Sequence, residues 1–110
     1  MQTEYVVVFI TTPSPEVAEK VASELVARNL AACVNIVPSI LSTYTWRGKV
    51  QNDQEVLLII KTRAALFEEY LVPAVKSVHP YQVPEIIALP VVLGSQDYLD
   101  WITAETTADK

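Results

Sequence analysis

The seven residues from His79 to Glu85 form the densest group of chemically useful side chains in the chain. This segment, called the connector below, contains the one histidine of the chain, Tyr81 and, at its end, the carboxylate of Glu85. Prolines occupy positions 80 and 84. Proline fixes its own φ and keeps the preceding residue out of helical geometry. The sequence therefore predicts a stiff, extended segment. Such a segment with polar side chains is typical of a functional loop.

A metal site is the first chemistry that these residue types indicate. Imidazole binds copper, zinc and related ions well, which makes His79 the leading candidate ligand, with Cys33 and Glu85 as helpers. No CxxC, HxH or HExxH spacing occurs, so a metal site must draw on distant segments or on different chains. The structural alternatives are a histidine that satisfies carbonyls at a helix end and a cysteine that is a small buried hydrophobe.

A ligand pocket is the second possibility. Glu55 and Lys61 are six residues apart on one predicted strand, which places them on the same face. They either flank a pocket or pair with neighbours on a solvated face. Tyr44 and Trp46 share a strand face near a turn and are typical of interface anchors, since no basic residues alternate with them as in nucleic-acid platforms.

Composition excludes several classes of function. Thirteen acidic residues against eight basic ones give a net charge of −5, which argues against nucleic-acid binding. With Gly48 and Gly94 as the only glycines, no glycine-rich phosphate loop or G-x-S-x-G elbow exists, and we predict a non-enzymatic protein. No apolar run approaches the roughly 20 residues of a membrane helix. Together with a single cysteine, this predicts a cytoplasmic location and no membrane partner.

The elements that must position these residues are predicted in the order β-α-β-β-α-β, followed by one more helix. This order predicts an α+β, ferredoxin-like fold in a single domain spanning residues 1–110, with an ordered core at about 5–104 and a polar tail at 105–110. The predicted strands are 5–12, 30–46 with a bulge at Pro38-Ser39, 50–62 and 86–93. Three helices are predicted. The first starts at Pro15, after a Ser14 cap, and closes at Arg28-Asn29. The second spans 63–78, with a Thr62 cap and a kink at Pro73, and the third spans 96–104.

The length of the predicted hairpin, from Leu30 to Thr62, indicates an oligomer. A hairpin this long protrudes from a small domain, and its distal half needs another surface to cover it. The chain is also 51% hydrophobic, which a lone domain of this size has difficulty burying. We therefore predict that copies of the chain associate and that neighbouring subunits cover the hairpin.

Five sequence motifs carry a resemblance to a known family. They are Ala31-Ala32-Cys33-Val34-Asn35, Tyr44-Thr45-Trp46-Arg47-Gly48-Lys49, Glu55-Val56 with Lys61-Thr62, the connector, and Tyr98-Leu99-Asp100-Trp101. With these motifs the chain resembles the CutA family of divalent-cation tolerance proteins, from about Tyr5 to Ile102. The resemblance implies a homotrimer of ferredoxin-like subunits whose long hairpins wrap their neighbours, with a role in the response to metal ions.

Copper binding is also implied by the resemblance, through a first-strand cysteine and a pair of histidines before the connector proline. This chain has Ile10 at the first position and Val78 in place of one histidine, so only His79 remains. The expectation is weak binding of copper or another divalent cation through His79, with Cys33 and Glu85 contributed from elsewhere in the trimer.

Two alternatives stay open beside metal binding. The architecture also resembles that of the trimeric PII signalling proteins, which bind small effectors in clefts between subunits. On that interpretation an anionic or zwitterionic metabolite would be held by the following polar and aromatic residues: Trp46, Glu55, Lys61, His79, Tyr81 and Glu85. The third alternative is a structural trimer in which the polar cluster only fixes the interface.

Overall fold

The sheet at the centre of the molecule has four antiparallel strands. In the computed structural model, which describes residues 3–107, they are β1 (Tyr5–Thr12), β2 (Cys33–Trp46), β3 (Lys49–Arg63) and β4 (Ile86–Pro90), in the spatial order β2-β3-β1-β4. Helix α1 (Pro15–Ala27) follows β1, α2 (Val72–Val78) lies between β3 and β4, and α3 (Gln96–Glu105) ends the described chain. The predicted α+β class is confirmed. No helix within residues 3–107 is both long enough and apolar enough to cross a membrane.

The hydrophobic core lies between one face of the sheet and helices α1 and α2. Residues alternate along β1 between buried and half-buried, so every second side chain enters the core, as strand geometry requires. The core combines Val6, Val8 and Ile10 of β1 with Val56, Leu58 and Ile60 of β3, Ala18, Val21 and Leu25 of α1, and Ala74 and Val75 of α2.

Local signals set the boundaries of α1 as predicted. The Ser14 hydroxyl accepts a hydrogen bond from the Val17 N–H at 3.2 Å, and Pro15 occupies the first turn, where its missing N–H costs nothing. At the other end Asn29 has a φ of 55°, the left-handed geometry that ends many helices. These contacts fix the point at which the chain turns back into the sheet.

The hairpin of β2 and β3 is the longest feature of the fold. Arg47 and Gly48 form its two-residue turn, with φ values of 52° and 81°. Positive φ at both central residues is typical of type I′ turns, whose backbone twist matches that of the flanking strands. The pairing register shifts between Val37 and Ile40, which confirms the bulge predicted at Pro38-Ser39. The molecule measures 43 × 27 × 24 Å, an elongated shape for so short a chain.

The second helix differs from its prediction over 63–78. It is divided into a 3₁₀ turn (Ala64–Leu66), a π-helical turn (Phe67–Leu71) and α2. Thr62 does not cap it, because the Thr62 hydroxyl donates instead to the Leu30 carbonyl at 2.7 Å inside the core. Pro73, near the start of α2, has no N–H to donate to a carbonyl of the preceding turn. The 3₁₀ and π-helical turns accordingly lie before the proline.

Three further boundaries are corrected by pairing and burial. β2 begins at Cys33 rather than Leu30, and β4 ends at Pro90 rather than at residue 93. The tail does not begin at residue 105, because α3 continues through Glu105 and Thr106 is buried. Arg63 holds Thr106 with two hydrogen bonds, Nε to Oγ1 at 2.8 Å and Nη2 to the carbonyl at 2.7 Å. The rest of the predicted tail, residues 108–110, lies outside the described part of the chain.

Candidate functional site: the cleft between hairpin and connector

A cleft of about 860 Å³ lies between the hairpin and the connector. Clefts of this size commonly hold small molecules. Its walls come from three parts of the chain: the end of β1, the distal half of the hairpin and the connector. The lining residues are Thr11, Leu41, Ser42, Thr43, Tyr44, Trp46, Arg47, Glu55, Pro80, Tyr81, Gln82, Val83 and Glu85.

His79 anchors the start of the connector to the sheet. Its Nδ1 accepts a hydrogen bond from the Tyr81 N–H at 3.2 Å, so the ring proton is on Nε2, which donates to the Thr11 carbonyl at 2.8 Å. The side chain is buried, and its ring lies 4.8 Å from that of Tyr81. Because both ring nitrogens have partners, this imidazole has no lone pair free for a metal ion.

A hydrogen bond between Tyr81 and Glu55 joins the connector to β3. The Tyr81 hydroxyl donates to Glu55 Oε2 at 2.8 Å, and only 6% of Glu55 is exposed. Burial raises the pKa of Tyr81 well above its ordinary value, and the hydrogen bond to the Glu55 carboxylate raises it further. Tyr81 therefore stays protonated at physiological pH and serves as a permanent donor to a buried acceptor.

A second carboxylate, Glu85, closes the other end of the connector. Burial raises its pKa above the ordinary glutamate value, and the negative charge of Glu55 adds to the shift. The two side chains are thus close enough to repel each other across the cleft that both of them line. Tyr44, on the hairpin wall, donates to Asp53, and this hydrogen bond is the main cause of the raised pKa of Tyr44.

Arg47 links the tip of the hairpin to the connector. Its guanidinium lies 5.5 Å from the centre of the Trp46 ring, a cation–π distance, and its Nη2 donates to Gln82 Oε1 at 3.3 Å. Both contacts are exposed, so they tie the two walls together loosely.

The structure brings together four of the six residues predicted to hold a metabolite: Trp46, Glu55, Tyr81 and Glu85. His79 holds the connector but does not itself line the cleft. Lys61 does not line the cleft. It lies six residues further along β3, and its ammonium group donates to the Asn35 side chain on β2. Within one chain, Lys61 therefore fits the alternative interpretation, in which it pairs with a neighbouring residue and does not flank a pocket.

The three predicted metal ligands do not meet within one chain. Cys33 pairs with Lys61, and Lys61 pairs with Val7. Thr11, which holds His79, is four residues further along β1, or about 13 Å at the rise of a strand. Cys33 instead lies beside Tyr98 of α3, whose pKa is raised by burial and then by the cysteine. No cluster of three or more His, Cys, Asp or Glu side chains suited to a metal ion occurs in residues 3–107.

Sequence reasoning missed the contributions of Thr11, Arg47 and Gln82. Arg47 and Gln82 are 35 positions apart in the sequence, and no local pattern pairs them. Thr11 acts through its backbone carbonyl, which every residue carries. The signal that could have found them is their position in the sequence, since Arg47 directly follows Trp46 and Gln82 directly follows Tyr81, two residues that were predicted.

A family model described as the CutA1 divalent ion tolerance protein matches residues 6–105. The chain belongs to this family. All the residues that line the cleft lie within the matched range.

Similar proteins come from distant organisms. The divalent-cation tolerance protein CutA of Thermus thermophilus is 53% identical over 91% of this chain and 96% of its own length. The chloroplastic CutA protein of Arabidopsis thaliana is 52% identical over 92% of this chain, which spans about half (55%) of that relative's length. The crystal structure of CutA1 from Oryza sativa has a TM-score of 0.91 at 47% identity and covers 97% of each chain.

Replacing Tyr81 by phenylalanine tests the bond to Glu55. Tyr81→Phe leaves Glu55 Oε2 buried without its donor, and a lost hydrogen bond to a charged group costs about 1.5–3 kcal/mol. We expect the free energy of unfolding in urea to fall by that amount at fixed protein concentration. Tyr70→Phe is the matched control, because the Tyr70 hydroxyl has no hydrogen bond to the described residues and its loss should cost little. Equal losses in the two variants would contradict the assignment.

The raised pKa of Glu85 predicts a pH-dependent effect of Glu85→Gln. Folding disfavours the charged carboxylate, so the stability contributed by Glu85 is fully present below about pH 4.3, the ordinary glutamate value, and is lost as the pH rises through the folded pKa. Glu85→Gln should therefore raise the melting temperature at pH 7 and have little effect at pH 4. Glu4→Gln, at an exposed position before β1 and outside any helix, should show no such difference. An effect of Glu85→Gln that is equal at both pH values would refute the pKa direction.

Proposed function

We propose that this chain acts as a cytoplasmic homotrimer in the response to divalent metal ions, and that it does so by binding a small polar metabolite in the cleft. The role in metal tolerance is taken from the names of the related proteins. The observation that carries the ligand-binding part is the cleft itself, in which Tyr81 is held as a donor and which two glutamates, Glu55 and Glu85, both line. The role is one of binding and signalling, not of catalysis, and in this it resembles the PII proteins.

Exposed apolar surface supports the trimer. Leu93 is 90% exposed and Leu41 is 79% exposed, and Ile87 and Leu89 are exposed on β4, an edge strand. Apolar surface on this scale is unfavourable in water and marks an interaction surface. Further copies of the chain would cover β4 and the hairpin, as the length of the hairpin already indicated.

A metal ion held by His79 is the second candidate and has less support. To bind copper or zinc, His79 would have to give up its bond to Tyr81 or to Thr11, and Cys33 and Glu85 would have to come from other chains. The names of the relatives keep this candidate in view, since they concern divalent cations. The geometry of one chain favours an organic ligand over an ion at this position.

One experiment separates the two candidates. Metal-free protein is titrated with Cu(II) and Zn(II) by calorimetry, and then screened for thermal stabilisation with a panel of cellular metabolites, in wild type, His79→Gln and Glu85→Gln. We expect no metal binding that depends on His79, and we expect stabilisation by at least one metabolite that Glu85→Gln abolishes and Glu16→Gln preserves.

Sedimentation of each variant serves as the control, with a mass three times the 12.2 kDa of one chain expected throughout. Saturable metal binding that His79→Gln removes would favour the metal site. Dissociation of the trimer by Glu85→Gln would favour the purely structural alternative.

A further inference from the structure

The charges that line the cleft are unbalanced. It contains the carboxylates of Glu55 and Glu85 but a single cationic side chain, Arg47. Arg47 is already engaged, with its guanidinium over the Trp46 ring and an Nη2 bond to Gln82. Between residues 3 and 107 the only ion pair within 4.0 Å joins Arg28 to Glu24 on α1, so neither cleft carboxylate has a cationic partner.

Glu55 presents an open oxygen to the cleft. Its Oε2 accepts from Tyr81, whereas Oε1 accepts no hydrogen bond from the described residues. Within the same residues, no side-chain polar atom is both sealed from solvent and without a partner. Oε1 is therefore accessible to solvent, and Glu55 is one of the residues that line the cleft, although only 6% of the residue is exposed. A buried carboxylate without a counter-charge is costly, and a ligand that brings a cation removes this cost.

We propose that the cleft recognises the ammonium group of a small organic amine, held between Glu55 and Glu85 and against the rings of Trp46 and Tyr81. This inference rests on the proposed function, in which the cleft binds a metabolite, and it specifies the charge of that metabolite. Repulsion between Glu55 and Glu85, which contributes to the raised pKa of Glu85, is relieved by a cation between them.

The walls favour an organic cation over a metal ion. Calcium and magnesium require six or more oxygen ligands at short distances, and the described residues provide no cluster of three acidic or metal-binding side chains. The aromatic faces of Trp46 and Tyr81, with the apolar Pro80 and Val83, suit the carbon skeleton of an amine and the cation–π contact of its head group. The Arg47 guanidinium over Trp46 shows that this ring accepts a cation.

The same charges disfavour an anion, which was one of the two ligand classes expected from the sequence. An anionic ligand would find one guanidinium and two carboxylates in the cleft. A zwitterion remains compatible, with its amine at Glu55 and Glu85 and its acid group at Arg47. The amine is the group on which recognition depends in either case.

Two probes of equal chain length and opposite charge test the proposal. Isotope-labelled protein is titrated with n-butylammonium chloride and with sodium butyrate at pH 7 and constant ionic strength, and amide chemical shifts are followed by NMR. Butylammonium should shift the signals of residues 46, 81 and 85 in a saturable way, whereas butyrate should not. Glu85→Gln should weaken butylammonium binding about tenfold, which corresponds to roughly 1.4 kcal/mol. Glu16→Gln should leave it unchanged.

The outcomes distinguish this inference from the function on which it rests. Saturable binding of butyrate in the cleft, or butylammonium binding that Glu85→Gln does not weaken, would overturn the amine assignment while leaving a ligand-binding cleft. The amine assignment would also be overturned, and the ligand-binding cleft kept, if neither probe binds but a metabolite stabilises wild type and not Glu85→Gln. If no metabolite and neither probe binds, both proposals are wrong. Glu55→Gln provides a second test of the carboxylate, provided that its amide spectrum retains the wild-type pattern.

Discussion

The hydrogen bond between Tyr81 and Glu55 is the interaction on which the cleft depends. The connector pairs with no strand, and its two prolines remove backbone donors, so side chains must hold it against the sheet. Tyr81 does so by donating to a carboxylate on β3, and His79 does so by donating to the end of β1. Both bonds are partly buried, which makes each of them stronger than a fully exposed contact. The cleft is the space left between a hairpin that protrudes and a connector tied down at these two points.

This arrangement determines what the polar residues can do. His79 was the best metal ligand by residue type, but within one chain both of its ring nitrogens form hydrogen bonds with the backbone and anchor the connector. One carboxylate oxygen of Glu55 accepts the hydrogen bond from Tyr81, and the other accepts none from the described residues. The charge of Glu55 also acts on a second carboxylate, that of Glu85. The resulting site is acidic, aromatic and large enough for a small molecule. A role in tolerance of divalent cations, which the related proteins carry in their names, would then operate through a bound metabolite.

Local patterns in the sequence predicted much of the fold. The Ser14 cap and the bulge at Pro38-Ser39 each depend on the chemistry of a few adjacent residues, and both occur. The predicted Thr62 cap of the second helix does not form, because the Thr62 hydroxyl donates to the Leu30 carbonyl, a partner 32 residues away that no cap pattern reveals. In the site, Trp46, Glu55, Tyr81 and Glu85 were predicted and meet. Lys61 lies outside the cleft of one chain, because strand alternation gives the face of a residue and not its distance from a cleft. Cys33 lies far from His79 within one chain, because the pairing register that separates them cannot be derived from either segment alone, and its contribution from another subunit stays a prediction.

Amide hydrogen exchange of wild type and Tyr81→Phe tests the central claim most directly. If the bond to Glu55 holds the connector, the Tyr81 amide, which donates to His79 Nδ1, should exchange faster in the variant, while the amides of β1 and the core half of β3 keep their protection. Tyr70→Phe should change neither set. Unchanged exchange in the connector, or an equal acceleration throughout the sheet, would show that the cleft does not depend on this hydrogen bond.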